Sequence, residues 1–297
     1  MRRETLGLVT LLVAVVAAAQ PPGSTALRQA FLWRSLDSWS LPISQAVMMQ
    51  KDPFASVRAQ AAGVLASNVA KKRLPLLVRY MNDGEARVRE NVMLAAGRMG
   101  RPGLRLAIHG FTDSTPLVRQ AAAWAASHGG SEAFEALSGL LVKERNRAVR
   151  ETLLANLWRL EDSPWQTLAA SYARDDDVYL RRAAAFSLSR SGDQSARAGQ
   201  RLFAADPEPV IRATALRGFE KGKLDRQDLA VLRSALEDAD WRVRAGACRA
   251  LAAHDPVALS PESARNIVDF FSSPHPHLAV SAIAAAASQD RSGTAAD

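Results

Sequence analysis

Acidic and basic side chains recur along this chain at a fixed spacing. An arginine appears about every 31 residues, and an acid stands six residues before each one. The arginines are Arg58, Arg89, Arg119, Arg150, Arg181, Arg212 and Arg244. The acids are Asp52, Asp83, Asp113, Glu144, Asp175, Asp206 and Asp238. Guanidinium and carboxylate groups form charge-assisted hydrogen bonds. Because the pairs repeat with a strict period, they indicate architecture rather than one active site.

Few other side chains are placed for chemistry. His275 and His277 could hold a metal ion, but no further histidine or cysteine is near in sequence, so a solvated turn is favoured. The acids of 175–177 lack the calcium-binding spacing of an EF-hand. The single cysteine, Cys248, fits a small buried apolar position. Catalytic and nucleotide-binding motifs do not occur. We therefore expect no enzymatic activity, no cofactor and no metal.

Apolar residues accompany each arginine at helical spacing. Around Arg89, the residues Val88, Val92, Met93 and Ala96 occupy offsets −1, +3, +4 and +7. These offsets form one stripe of an α-helix with 3.6 residues per turn. A second, looser helical pattern precedes each acidic turn, as in residues 74–81. Each unit therefore reads as helix, acidic turn, helix, and the units must stack because neither helix can cover its stripe alone.

An eighth unit follows the seven matching ones but departs from their pattern. It keeps the apolar residue, Leu278, and has Ser273 and Ala279 in place of the acid and the arginine. Terminal repeats of a solenoid are often atypical because one side has no neighbour. Strand-like alternation is missing from the sequence, so the predicted fold class is all-α.

The D-x-x-x-x-V-R-x-x-A-A pattern resembles the short bacterial HEAT repeats, including the PBS-lyase HEAT-like type, over roughly residues 42–288. The resemblance implies a right-handed α-solenoid of about eight stacked helix-turn-helix repeats. It also implies that the acids and arginines form a structural ladder between neighbouring repeats. Members of this family include scaffolds, adaptors and some enzyme subunits, so the resemblance predicts the fold more sharply than the function.

A strip of basic and aromatic residues lies opposite the apolar stripe, at offsets +5 and +9 of the second helices. Its members are Arg98, Trp124, Arg159, Phe186, Arg190, Arg217 and Lys221. In similar repeats the second helices line the concave face, which is the usual binding face. Aromatic residues and arginine dominate interface energies, so we interpret the strip as partner-binding. The alternative, that these arginines only keep the surface soluble, stays open.

The N-terminus has the features of a secretory signal. Arg2 and Arg3 precede an apolar run from Leu6 to Ala19, which ends in an A-x-A site before Gln20. The run is about 14 residues, and a spanning helix needs about 20. We expect a signal peptide over 1–19, cleaved after Ala19, and a periplasmic or secreted protein. Membrane attachment would follow only if this segment stays uncleaved.

Three segments are predicted after the signal peptide. Residues 20–41, with Trp33 and Trp39, form an N-terminal capping segment, residues 42–288 form one continuous solenoid, and residues 289–297 form a disordered tail. The net charge of +8 favours anionic partners. Part of that charge belongs to the repeated arginines, and export disfavours nucleic acid.

Three functions compete on this basis. The first is a non-enzymatic scaffold or adaptor that binds a protein or peptide in the cell envelope. The second is a substrate-recognition arm, because the repeats are similar to those of exported HEAT-repeat proteins that carry a peptidyl-prolyl isomerase domain. The third is a binder of an anionic polymer or lipid surface, which strong salt dependence would reveal. A bilin-lyase-like enzyme is the weakest option, since no pigment-handling residues can be named.

Overall fold

The computed structural model describes residues 43–67, 74–254 and 259–290. Within these ranges every regular element is a helix and no strand is present, which confirms the prediction of an all-α solenoid. None of the helices in this part of the chain has both the length and the apolar character needed to cross a bilayer. The predicted signal peptide (1–19), the capping segment (20–41) and tail residues 291–297 lie outside the described residues.

The α-helices come in pairs joined by a turn that carries the repeated acid, or Ser273 in the last pair. The first helices of the pairs are α1 (Ile43–Met48), α3 (Leu74–Val78), α5 (Leu104–His109), α7 (Phe134–Lys143), α9 (Trp165–Ala170), α11 (Gln194–Ala204), α13 (Arg226–Leu236) and α15 (Pro261–Asp269). The second helices are α2 (Ala55–Ser67), α4 (Ala86–Met99), α6 (Pro116–Ala126), α8 (Arg147–Ala155), α10 (Val178–Ser189), α12 (Pro209–Leu216), α14 (Trp241–Ala252) and α16 (Pro276–Gln289). Short 3₁₀ turns extend several of them.

The chain divides into two compact units, residues 1–149 (unit 1) and 150–297 (unit 2). The division falls inside α8, within the range 42–288 that the sequence predicts to be one continuous solenoid. In unit 1, α4 packs between α2 and α6. In unit 2 the second helices α10, α12, α14 and α16 pack in order, and the first helices α9, α11, α13 and α15 form a second layer.

The apolar stripe of the second helices forms the core, as the periodicity predicts. The residue before each repeated arginine is at most 2% exposed, from Val57 through Val243. Offsets +3, +4 and +7 are equally buried, for example Leu216 and Phe219 in α12 and the 3₁₀ turn after it. Burying a large apolar side chain contributes about 1.5–3 kcal/mol. Stacking of repeats is therefore what stabilises each helix pair.

The last helix extends one residue beyond the predicted end of the solenoid. α16 continues to Gln289, where the sequence predicts the start of a disordered tail. The side-chain amide of Gln289 donates to the backbone oxygen of Leu251 at 3.2 Å, which ties the last turn of α16 to α14. Gln289 therefore belongs to the folded repeat.

The repeated acids and arginines form an acid–arginine ladder, in which five of the arginines bind two consecutive turns. Arg89 donates from Nε and Nη2 to the carboxylate of Asp113, in the next repeat, at 2.7 and 3.0 Å. Its Nη1 donates to the backbone oxygen of Asp83, in its own turn, at 2.7 Å. The carboxylate of Asp113 also accepts the backbone N–H of Thr115 at 2.8 Å, which shapes the next turn. The same arrangement is present at Arg58, Arg119, Arg181 and Arg212.

The ladder is weaker at two positions. Arg150 Nη2 lies 3.7 Å from the Asp175 carboxylate, the longest separation in the ladder of unit 2. The next repeat carries Ser273 at the position of the acid that would pair with Arg244. The Arg244 guanidinium lies 5.5 Å from the Phe270 ring centroid. The Ser273 hydroxyl still accepts the backbone N–H two residues further on. Ser273 therefore preserves the hydrogen bond that shapes the turn, but its uncharged hydroxyl cannot form the ion pair.

Replacement of Arg212 tests the ladder in unit 2. Arg212→Ala removes hydrogen bonds to Asp238, Asp206 and Pro207 and leaves the Asp238 carboxylate, only 13% exposed, without its guanidinium. We expect a loss of about 2–4 kcal/mol in the free energy of unfolding, measured by urea titration with circular dichroism. Arg182→Ala is the matched control, because Arg182 is half-exposed and pairs with Glu151 at 3.3 Å. Such surface pairs contribute about 0–1 kcal/mol, so equal losses in the two variants would contradict the ladder.

Acid should weaken the ladder of unit 1. Hydrogen bonds from the ladder arginines hold the pKa of the Asp83, Asp113 and Glu144 carboxyls below their ordinary values. Such groups stabilise the fold above their unfolded pKa, about 4, and this contribution is lost as pH falls through the lower folded pKa. We expect the free energy of unfolding to stay level from about pH 7 to pH 5 and to fall below about pH 4. Asp83→Asn should be less stable at neutral pH and show a shallower acid decline; an unchanged decline would exclude this origin.

Candidate functional site

The seven strip residues divide between the two units. Arg98 and Trp124 belong to unit 1, and the other five belong to unit 2. The exposed members are Arg98, Phe186, Arg190, Arg217 and Lys221, whereas Trp124 and Arg159 are half-buried. Within unit 2 the structure brings Arg159, Arg190 and Lys221 close together, and it places Arg217 in a separate groove.

In unit 1, Trp124 serves mainly as a packing residue. A Cβ atom placed on Gly97 of α4 would lie 2.4 Å from the Trp124 indole, so the glycine makes room for the ring. The His128 ring contacts the same indole in a tilted arrangement, with 4.4 Å between the ring centroids. Arg98, next to Gly97, remains exposed. The aromatic surface offered to a partner in unit 1 is thus smaller than the sequence suggests.

In unit 2, two strip arginines lie against one tryptophan that the strip did not include. The guanidinium carbons of Arg159 and Arg190 are 4.4 and 4.7 Å from the centroid of the Trp158 ring. Trp158 is at offset +8 from Arg150. In a continuous helix this position would lie about 60° around the axis from offset +5 and about 100° from offset +9. However, α8 ends at Ala155, and Leu157–Arg159 form a 3₁₀ turn that changes the register. The adjacency of Trp158 and Arg159 in sequence was the only available signal.

The turn carrying Lys221 is fixed beside Arg190. Lys221 Nζ donates to the backbone oxygen of Arg190 at 2.9 Å. Gly222 follows with φ of 66°, a left-handed conformation that favours glycine. A Cβ on Gly222 would lie 2.3 Å from the backbone oxygen of Gly192, so only glycine permits this approach. The geometry of the two turns therefore places the ammonium group next to α10.

A buried polar network stabilises the turn that carries Lys221. Arg197 is 2% exposed and donates to the backbone oxygens of Gly218, at 2.9 Å, and Lys221. Its Nε lies 3.4 Å from the carboxylate of Asp228, which also accepts a hydrogen bond from Arg201. Sequence reasoning missed this network. Its available signals were the i,i+4 spacing of the two arginines and the capping box that Asp228 completes at the start of α13.

Unit 2 also contains a groove of about 710 Å³ between the second helices α12, α14 and α16. We call it the unit 2 groove. Its apolar lining includes Val210, Ala213, Ala245 and Val280. Val210 is 48% exposed and Val280 is 67% exposed, so apolar surface faces solvent. The cationic groups that line the groove are Arg217, Arg242 and Arg249.

The arginines of the unit 2 groove differ in how far they are neutralised. Arg249 pairs with Glu220 at 3.1 Å, and the exposed Arg242 pairs with Asp240 at 3.1 Å. For the guanidinium of Arg217, no hydrogen bond or ion pair is found within the described residues. Arg217 is therefore the cationic group of the groove that is most available to a ligand.

The two histidines close in sequence stack on a tryptophan. The rings of His275 and His277 are nearly parallel to the Trp241 indole, at centroid distances of 4.8 and 6.3 Å. Both Trp241 and His277 line the unit 2 groove. The predicted solvated turn is thus a partly stacked turn at the edge of the groove. Across the described ranges, no group of three or more His, Cys, Asp or Glu residues is arranged to hold a metal ion.

The single cysteine lies in the core. Cys248 is fully buried on α14, and burial raises the pKa of its thiol to about 12. A thiol in this environment stays protonated and inaccessible, so it is a packing residue rather than a nucleophile.

The repeats match a known family. Residues 46–127 and 198–288, together more than half of the chain, match the family model of HEAT repeats. The chain therefore belongs to the HEAT repeat family. A search of the curated proteins gives no match.

Several solved structures are similar to this chain. Escherichia coli YibA is 14% identical, with 90% of this chain and 98% of YibA covered and a TM-score of 0.55. Kap121p bound to Pho4p is 14% identical, with 93% of this chain and 37% of Kap121p covered and a TM-score of 0.53. The CpcE–CpcF complex of phycocyanin lyase from Nostoc is 16% identical, with 74% and 92% covered and a TM-score of 0.43. At 14% identity, the similarity to YibA and Kap121p establishes the architecture alone, an all-α helical-repeat fold.

Proposed function

We propose that this protein is a non-enzymatic scaffold or adaptor of the cell envelope that binds an acidic segment of a protein partner in the unit 2 groove. The segment combines carboxylates with apolar side chains, because the groove combines both complementary features. The observation that carries the proposal is this combination of an apolar lining with cationic groups.

The apolar lining supplies the driving force for binding. Val210 and Val280 expose 48% and 67% of their surface beside buried or half-buried alanines. Covering apolar surface stabilises a complex by about 25 cal/mol per Å² before the costs of association. A groove of about 710 Å³ accommodates several side chains of an extended or helical segment.

Charge supplies the selectivity. Arg217 has no acidic partner within the described residues, and it lies beside the apolar lining. The chain as a whole carries a net charge of +8. Such a surface steers acidic partners and disfavours basic ones. A carboxylate next to an apolar side chain in the partner would satisfy both features of the groove.

The non-enzymatic part of the proposal rests on how the reactive groups are used. The ladder acids are bound to arginines and turn amides, the two neighbouring histidines stack on Trp241, and Cys248 is buried. These placements engage the side chains that most often act as acids, bases or nucleophiles. Kap121p, which is similar in fold, is seen bound to the protein Pho4p, so this architecture can hold a protein partner.

Site-specific photo-crosslinking in intact cells tests the proposed partner. A photoreactive residue at Thr214, in the unit 2 groove, should crosslink to a discrete protein that mass spectrometry identifies. The matched control is Ser234, which is exposed on the first helix α13. Arg217→Glu should reduce the Thr214 crosslink about tenfold, because it places like charges together. Identical products from Thr214 and Ser234, or no effect of Arg217→Glu, would contradict the proposal.

The first 19 residues give a separate prediction, which concerns export of the protein. Cleavage after Ala19 should yield a mature chain that begins at Gln20, detected by intact-mass analysis of the periplasmic or secreted fraction. A chain that retains residues 1–19 and remains in the membrane fraction would show an uncleaved anchor. A chain that retains them and remains in the cytoplasm would contradict export.

A further inference from the structure

The cluster around Trp158 holds two positive charges close together. Arg159 and Arg190 come from consecutive repeats, at the same offset, and both guanidinium groups lie over the indole of Trp158. A tryptophan face attracts a guanidinium electrostatically, and stacking leaves its N–H edges free to donate. We call Trp158, Arg159 and Arg190 the arginine clamp.

The charge of the arginine clamp is not balanced. Neither guanidinium has a carboxylate partner within the described residues, in contrast to the ladder arginines. Burial and the nearby charge of Arg190 lower the pKa of the Arg159 guanidinium below its ordinary value. Like charges held this close destabilise the folded chain unless an anion joins them. Such an arrangement is typical of a site whose counter-ion is a ligand.

The clamp is held in place before any ligand binds. Asn156 Oδ1 accepts a hydrogen bond from Arg159 Nε at 3.2 Å, and the Asn156 amide donates to the Thr152 backbone oxygen at 2.8 Å. Lys221 adds a third positive group through its bond to the Arg190 backbone. A preorganised site loses less side-chain entropy on binding than a flexible one.

We infer that the arginine clamp, with Lys221, is an anion-binding subsite that takes carboxylate side chains of an acidic protein segment. The inference rests on the proposed function and names a second contact region for the same class of partner. Guanidinium groups bind carboxylates through paired N–H donors, which gives directional recognition beyond simple charge attraction. A row of cations contributed by successive repeats suits an extended segment with several acidic residues.

Binding of a capped hexaglutamate peptide to the full chain tests the inference. The peptide carries a fluorescent label and a blocked C-terminus, so that only its side chains are carboxylates, and fluorescence anisotropy at low salt gives the Kd. Arg159→Gln with Arg190→Gln should raise the Kd by about tenfold or more. Arg226→Gln with Arg265→Gln removes the same charge from exposed positions on first helices and should change the Kd by no more than about twofold. Equal weakening by the two pairs would mean unspecific attraction and would overturn the subsite.

A variant of Trp158 tests whether binding needs the stacked arrangement of the arginines or only their charge. Trp158→Leu keeps both arginines and removes the surface on which they stack, so the Kd should rise several-fold. An unchanged Kd in Trp158→Leu would contradict the clamp. Vesicles rich in phosphatidylglycerol are the second probe in this experiment. If the clamp arginines bind these vesicles and hexaglutamate does not bind, the site takes lipid headgroups and the inference is wrong.

One further variant distinguishes the clamp from the unit 2 groove. Arg217→Glu is measured beside the clamp variants with a second labelled and capped peptide that alternates glutamate with leucine, because the unit 2 groove is proposed to take carboxylates together with apolar side chains. A higher Kd only in the clamp variants would uphold the clamp and contradict the groove as a site for acidic segments. A higher Kd only in Arg217→Glu would uphold the groove and contradict the clamp.

Discussion

The structure depends on a guanidinium group that is shared between two consecutive turns, as at Arg58, Arg89, Arg119, Arg181 and Arg212. Its five N–H donors form a rigid planar fork, and the ladder arginines use them in two directions. Nη1 binds backbone oxygens of the arginine's own turn, while Nε and Nη2 bind the carboxylate of the next repeat. Because that carboxylate also accepts a turn N–H, the position of one turn determines the position of the next. This linkage explains why the repeat length varies so little along the sequence.

The ladder also decides which charges remain for a partner. Ladder arginines are largely buried and paired, so they contribute little free charge at the surface. A second set of arginines lies at other offsets of the second helices, and Arg159, Arg190 and Arg217 of this set have no acidic partner within the described residues. The basic character of the chain therefore has a structural part and an available part. Only the second part can recognise an anion.

The fold was predictable because its determinants repeat. Seven copies of the same apolar offsets identify the buried stripe, and every one of those positions is buried in the structure. The end of each repeat was less predictable, because short 3₁₀ turns change the helical register there. That change brings the Trp158 ring within 4.4 and 4.7 Å of the guanidinium carbons of two strip arginines. Trp124 lies inside α6, and it packs against α4 because Gly97 leaves room for its ring.

The candidate site was only half predictable for a related reason. Single-helix periodicity identifies which residues point away from the apolar stripe, and it found Arg159, Arg190, Arg217 and Lys221. It does not reveal which exposed residues meet across helices, since that depends on the packing of consecutive repeats. The unit 2 groove, the Trp241 stack and the buried Arg197–Asp228 contact all arise from such packing.

The most direct measurement of the central claim is a double-mutant cycle on Arg89 and Asp113. Arg89→Ala, Asp113→Ala and the double variant are compared with the original chain for their free energies of unfolding. If the ladder couples neighbouring repeats, the sum of the two single losses should exceed the double loss by about 1–3 kcal/mol. Strictly additive losses would show that the repeats stack through their apolar stripes alone, and would contradict a shared guanidinium as the link between turns.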